Sequence, residues 1–207
     1  MYQLYAYATP NSIKPAIMLE EIAQPWQLHT VNLRQGEQTR DDFLALNPNG
    51  KVPVLQDSQT GMVLSESAAI LLYLAGKHQA LLPSGPQAQA RVFEQLFFHA
   101  SAVSPAFGQA GFFTRLASEP QPLAQQRFSR EAMRVTGLLD RQLSDSPWLA
   151  GEEYSIADIA HYGWLWRREF AGVSLATFPH LRRWFDLLSA RPAVIRATEK
   201  INALFIA

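Results

Sequence analysis

Asn49-Gly50-Lys51-Val52-Pro53-Val54-Leu55-Gln56-Asp57 is an apolar run with a proline near its start. Proline has no N–H to give a ladder, so it belongs at sheet edges, strand starts or bulges. Two placements satisfy that rule. Pro53 either starts an edge strand, or it follows a cis Val52–Pro53 bond in a tight turn. In the second case the N–H and C=O of Val52 face outward and form a short edge for an extended peptide. Spacing alone leaves both open.

Working outward, the residues on either side alternate element types. Tyr2 to Ala8 reads as a strand with aromatics spaced by two. Asn11 to Ala23 reads as a helix, with Ile13, Ile17, Leu19 and Ile22 supplying an apolar stripe. Trp26 to Leu33 reads as a second strand, and Arg40 to Leu46 as a short helix stopped by Asn47-Pro48. Val52 to Gln56 is the third strand, Gly61 turns the chain into Met62 to Leu64, and Ser65-Glu66-Ser67 opens a helix over Ala68 to Lys77. The order βαβ-α-ββα predicts one small mixed sheet flanked by helices.

Gln79 to Gln87 (QALLPSGPQ) has the composition of a linker. No strand alternation follows it. Ala88 to about Leu116 (interrupted by Pro105), Leu123 to Leu143, Ser155 to Ala171, Phe178 to Ala190 and Ala193 to Leu204 all carry helical patterns. Ser155-Ile156-Ala157-Asp158 is a capping box with aspartate in the third position. The expected organisation is an α/β domain over 1–78, a linker over 79–87 and an all-α helical bundle over 88–207.

Bulk composition bounds the function. The 207 residues are 48% hydrophobic and 17% charged, which describes a globular protein with a sizeable core. Lysine plus arginine equals aspartate plus glutamate at 18 each, so no global field favours nucleic acid or anionic membranes. Cysteine is absent, which excludes disulfides, thiolate metal sites and a cysteine nucleophile. The start, MYQLYAYATPN, lacks a basic n-region, and the longest apolar run, AAILLYLA, is too short to span a bilayer. A cytoplasmic protein without membrane or nucleic-acid partners is expected.

Leu64-Ser65-Glu66-Ser67-Ala68 is the second informative stretch. A helix start presents unpaired N–H groups and a positive dipole end, which together bind carboxylates. Ser67 adds a hydroxyl, and Glu66 attracts a cationic amine. A site taking a carboxylate and an amine from one carbon recognises an amino-acid head group, although the same residues also make an ordinary N-cap.

With these residues in place, the chain resembles a cytosolic glutathione transferase over nearly its whole length. The resemblance rests on Ala8-Thr9-Pro10-Asn11-Ser12, Gly50-Lys51-Val52-Pro53, Ser65-Glu66-Ser67 and Gly151-Glu152-Glu153-Tyr154-Ser155-Ile156-Ala157-Asp158. Within the family, the Thr9-Pro10-Asn11 turn, Gln38 and Ser146-Pro147-Trp148-Leu149 are similar to the bacterial Nu class. The resemblance implies a thioredoxin-like domain followed by a helical domain, in a homodimer, with glutathione as co-substrate. It implies that Val52 beside cis-Pro53 pairs with the cysteinyl backbone of glutathione. Ser67 and Glu66 hold the γ-glutamyl head group, and Lys51 and Gln38 hold the glycyl end.

Because the protein has no cysteine, the reactive sulfur must belong to the ligand. A free thiol has a pKa of about 8.5. Donors at the first helix start must therefore stabilise the thiolate. The candidates are Thr9 and Asn11, which the Nu class implies, with Ser12 and Tyr7 as alternatives. Ser12 stands where Nu-class relatives often have glycine, and Tyr7 lies near the catalytic phenol of tyrosine-type transferases. Phe107, Phe112 and Trp164 are the aromatics expected to line the second-substrate pocket, among residues most of which are core. Arg134 lies where Nu-class relatives place an arginine that reaches the partner subunit's glutathione; a plain surface arginine is the other reading.

The remaining polar residues read structurally. Asp158 is a helix-cap partner, the five histidines lack metal-ligand spacing, and Gly50-Lys51 lacks the rest of a phosphate loop. No metal is expected. The function expected is a glutathione transferase or glutathione-dependent disulfide reductase. The competing expectation is a non-catalytic binding or stress-regulatory protein on the same fold.

Overall fold

The computed structural model describes residues 1–205. The chain forms two compact units, one comprising Met1–Ala80 with the segment from Ala190 onward, the other Leu81–Ser189. In the first unit β1 (Tyr2–Ala6), β2 (Trp26–Thr30), β3 (Val54–Asp57) and β4 (Val63–Ser65) make one sheet in the order β2-β1-β3-β4. β1 runs parallel to β2 and antiparallel to β3, with Leu4 opposite both Leu28 and Leu55, and β3 pairs antiparallel with β4. The sheet is the small mixed one that the element order predicts.

β3 is an inner strand. It begins at Val54, so Pro53 precedes the ladder and the edge-strand placement falls away. The Val52–Pro53 bond is cis. Asn47, also buried, shapes the approach: its Nδ2 donates to the Lys51 carbonyl at 2.7 Å, and its Oδ1 accepts from the Asn49 N–H.

β1 stops at Ala6, two residues short of the expected end, because the Thr9 N–H turns back to the Tyr7 carbonyl at 2.7 Å. The tight Thr9–Ser12 turn then delays α1 to Ile13–Glu21. β2 likewise stops at Thr30, and Asn32 ends the extended run by accepting from the Arg34 N–H over a 3-10 turn. α2 (Asp41–Leu46) and α3 (Ser67–His78) complete the first half. Leu4, Ile13, Ile17, Leu55, Ile70, Leu71 and Leu74 are fully buried between sheet and helices.

The last helix, α9 (Pro192–Ala203), packs along α1 and so sits with the first unit, whereas the pattern of the sequence groups it with the helices after 88. Small buried residues, Ala193 and Ala197, allow close approach beside Val194 and Ile201. Ion pairs fix the register: Arg191 to Glu21 at 2.6 Å, and Arg196 and Lys200 to Glu20 at 2.7 and 2.5 Å.

The second unit contains α4 (Pro86–Phe98), α5 (Ser104–Gly111), α6 (Pro122–Asp145), α7 (Ile156–Trp166) and α8 (Pro179–Ser189). The run from Pro86 to Leu116 is one helical rod with π turns at His99–Val103 and Phe112–Leu116. Pro105 sits two residues after the first π turn, at the second position of α5. A proline lacks the N–H that an α turn needs and its ring crowds the carbonyl four residues back, and a wider turn relieves both. Gly111 is required where the rod meets residues 168–171, since a Cβ there would lie 2.0 Å from the Phe170 ring.

The Ser155–Asp158 capping box forms as read. The Ser155 side chain accepts from the Ala157 N–H, and Asp158 accepts from the Ser155 N–H at 3.0 Å. α7 then ends at Trp166, and a 3-10 turn with Gly172 at φ 72° replaces its expected last turn.

Candidate functional site

In the first unit the starts of α1 and α3 come together through Lys14 and Ser67, whose Nζ and Oγ lie 3.4 Å apart. Asn11, half-exposed at the mouth of α1, accepts a 2.7 Å hydrogen bond from the same ammonium through its Oδ1. Ser67 opens α3 nearly buried, and Glu66 before it is exposed. Glu66 adopts φ 68°, ψ 110°, a left-handed conformation that a side chain tolerates only where the surroundings impose it. The strained residue therefore sits next to the helix start proposed from the sequence to take a head group.

The four thiol-site candidates separate on hydrogen bonding. Thr9 and Ser12 satisfy each other: the Thr9 hydroxyl donates to Ser12 Oγ at 2.9 Å and accepts from the Ser12 N–H at 3.1 Å. Ser12 is fully buried and also accepts from the Tyr7 N–H. Tyr7 packs edge-on against Phe205, and its hydroxyl is buried with no hydrogen-bond partner among the described residues. Asn11 is left as the side chain at the opening whose amide N–H groups have no acceptor inside the turn.

Gln38 and Lys51 lie on adjacent loops. A Cβ on Gly50, which has φ 63°, would stand 3.2 Å from the Gln38 carbonyl oxygen. Gln38 is half-buried with its side-chain Oε1 buried and unpaired, while Lys51 is exposed. Val52 lies two residues before the β3 ladder, with Pro53 between. Thr9, Asn11, Gln38, Lys51, Val52, Pro53, Glu66 and Ser67 are thus carried by the loops and helix starts of one unit.

Lys14 is the member that the sequence reading missed. It follows Ile13 in α1 with no exposed surface. Burial pushes its ammonium well below the ordinary lysine range, opposed by the nearby Glu66 carboxylate. A lysine on the apolar face of a helix was the available signal, since lysine is almost never fully buried without partners.

The Glutathione S-transferase N-terminal domain family matches residues 8–77, and the Glutathione S-transferase C-terminal domain family matches residues 98–192. The disulfide-bond oxidoreductase YfcG of Escherichia coli is 36% identical, over 97% of this chain and 95% of that protein. A glutathione transferase family member from Pseudomonas fluorescens, solved with two glutathione bound, is 37% identical with a TM-score of 0.89. It covers 96% of this chain and 92% of that one. A glutathione transferase from Pseudomonas putida, with one glutathione disulfide bound per subunit, is 35% identical with a TM-score of 0.88, covering 95% of this chain and 90% of that one.

The chain belongs to the glutathione S-transferase family. Its N-terminal family match spans every first-unit candidate from Thr9 to Ser67. The fold is accordingly a thioredoxin-like domain followed by a helical domain.

In the second unit of this transferase the predicted pocket aromatics divide. Phe107 has no exposed surface and Trp164 very little; their rings lie 6.2 Å apart, and Trp164 Nε1 donates to Ser104 Oγ at 2.8 Å. Both are packing residues, because both project from helices into the core of the bundle. Phe112 keeps 45% of its surface. Arg134 lies exposed on α6, held by Glu131 through two hydrogen bonds of 2.6 and 2.8 Å beside a groove of about 570 Å³. Among the described residues no cluster of three or more His, Cys, Asp or Glu could hold a metal, and no helix is long and apolar enough to cross a membrane.

Proposed function

We propose that this protein binds glutathione, activates its thiol with Asn11 and uses the thiolate for transfer to electrophiles and for reduction of disulfides. The observation that carries the reading is the half-exposed Asn11, whose Oδ1 is held by the lysine that also reaches Ser67 at the start of α3. One ligand that presents a thiol at the first and an α-amino acid head group at the second is glutathione. Val52 takes its cysteinyl backbone, and Lys51 and Gln38 take the glycyl carboxylate. Thr9 and Ser12 shape the turn, since their hydroxyls are committed to each other. A homodimer in the cytoplasm, with Arg134 reaching the partner's glutathione, completes the proposal.

The absence of cysteine dictates the redox route. Bound thiolate attacks one sulfur of a disulfide, forming a mixed disulfide and expelling the other sulfur as a thiolate, which takes a proton. A second glutathione thiolate then attacks the glutathione sulfur of the mixed disulfide, releasing the second product thiol and glutathione disulfide. Both electrons come from the two glutathione molecules. Relatives holding two glutathione or one glutathione disulfide support a site with room for this exchange.

The test is the ultraviolet absorbance of bound thiolate against pH, together with turnover of a small disulfide. Asn11→Ala is expected to raise the bound thiol pKa and slow turnover, with a smaller loss of binding. Tyr7→Phe removes an unpaired buried hydroxyl and should leave both unchanged. The opposite pattern would make this a tyrosine-type enzyme. Retention on glutathione-agarose without turnover of any disulfide or electrophile would mark a binding protein instead.

A further inference from the structure

We propose that Lys14 is a positioning residue that orients the Asn11 carboxamide toward the glutathione sulfur and couples it to the Ser67 end of the site. The inference rests on the reading of Asn11 given above and adds the residue that makes Asn11 work. An asparagine side chain has an acceptor at one end and donors at the other, and the two are exchanged by a flip of the amide. An ammonium only donates. While Lys14 is charged, the amide atom 2.7 Å from its Nζ is oxygen, and the two N–H bonds of Asn11 are turned away from the lysine. That is the orientation that stabilises a thiolate. The same ammonium polarises the Ser67 hydroxyl at 3.4 Å, so one cation touches both ends of the proposed site.

A purely structural reading of Lys14 is less economical. The side chain is wholly buried, and filling its volume with an apolar chain would avoid desolvating a charge. Among the described residues, the Glu66 carboxylate lends its field to the ammonium. The cations of α9, Arg191, Arg196 and Lys200, are engaged with Glu20 and Glu21 at the far end of α1. A ligand carboxylate resting on Ser67 would add a second anion near Lys14. Head-group binding would then hold the lysine charged and the Asn11 amide fixed.

The experiment reads the bound glutathione thiol pKa and the melting temperature in Lys14→Met, Lys14→Gln and Asn11→Ala. Lys14→Met should raise the thiol pKa by about one unit, a tenfold loss of thiolate preference, whatever its melting temperature, provided the variant folds. Lys14→Gln keeps a donor for Asn11 Oδ1 and should hold the thiol pKa between wild type and Lys14→Met. A wild-type thiol pKa in a folded Lys14→Met would overturn the proposal. Equal loss in both lysine variants would overturn the orienting role. If Lys14→Met does not fold, Lys14→Gln decides alone: a thiol pKa equal to that of wild type or of Asn11→Ala overturns the proposal, and one between them supports it. If Asn11→Ala itself leaves the thiol pKa at the wild-type value, the reading of the whole site fails. If Asn11→Ala raises it and neither lysine variant does, only the lysine proposal fails.

Discussion

Glu66 and Ser67 carry opposite signatures at one helix start. Ser67 is nearly buried and unstrained, whereas Glu66 is exposed at φ 68°. The field of this exposed carboxylate reaches Lys14, and the strain of its backbone fits the proposed contact with a ligand amine. Ser67→Ala and Glu66→Gly should each weaken glutathione by about 1.5–3 kcal/mol, the value of one charge-assisted hydrogen bond. Glu66→Gly should at the same time hold or raise the melting temperature, because glycine accepts the left-handed conformation without strain. Calorimetry showing unchanged affinity in both variants would remove the head group from this position. The residue types of this pair were legible in the sequence. The choice among Thr9, Asn11, Ser12 and Tyr7 was not, because it depends on which hydroxyls satisfy each other across a turn. Lys14 was hidden for a similar reason: periodicity places it on α1 but does not show that its ammonium ends beside Asn11 and Ser67.

At the scale of elements, the capping box shows what a local pattern contains and what it leaves out. Ser155 and Asp158 announce the start of α7 from four residues. Asp158 does more than cap: it also accepts from the Leu149 N–H at 3.0 Å and from Trp184 Nε1 on α8 at 2.8 Å. Those partners lie 9 and 26 residues away, beyond any local signal. Burial pushes its carboxyl up to about 6, while these donors favour the charged form. Asp158→Ala leaves three buried N–H donors unpaired at about 1–3 kcal/mol each, so a loss of at least about 3 kcal/mol is expected. Asp158→Asn keeps one acceptor oxygen and should lose less; urea unfolding distinguishes them. Equal stability of wild type and Asp158→Ala would show that the aspartate ties nothing together. Strand and helix order was likewise readable from alternation and apolar stripes, but the inner position of β3 and the π turns around Pro105 follow from packing between distant segments. The pairing of α9 with α1 was unreadable for the same reason, since its ion pairs join residues about 170 to 180 apart.

For the whole molecule, acid stability turns on one buried carboxylate. Asp57, buried at the end of β3, accepts from Tyr73 at 2.6 Å and from Lys77. Burial alone would raise its carboxyl, but these bonds outweigh it and hold the group well below the usual carboxylate range. A depressed folded-state pKa stabilises the fold above the unfolded value of about 3.9 and loses that contribution as pH falls below it. The stability gap between wild type and Asp57→Asn should therefore stay level from pH 7 to about pH 5 and narrow as pH falls below about 3.9; a gap that stays constant down to pH 3 would assign the effect to packing. The proposed homodimer gives Phe97 on α4 and Leu123 on α6, 72% and 81% exposed, a surface to pack against. Arg134 on the same α6 is held by the half-exposed Glu131, a pair that water and salt screen, so it can exchange that carboxylate for one on a ligand. Sedimentation should give twice the chain mass for wild type and for Arg134→Ala. Glutathione affinity should fall severalfold in Arg134→Ala and stay level or rise in Glu131→Ala, which frees the guanidinium. A monomeric wild type would remove the cross-subunit role outright, because an arginine cannot serve a neighbour that is not there.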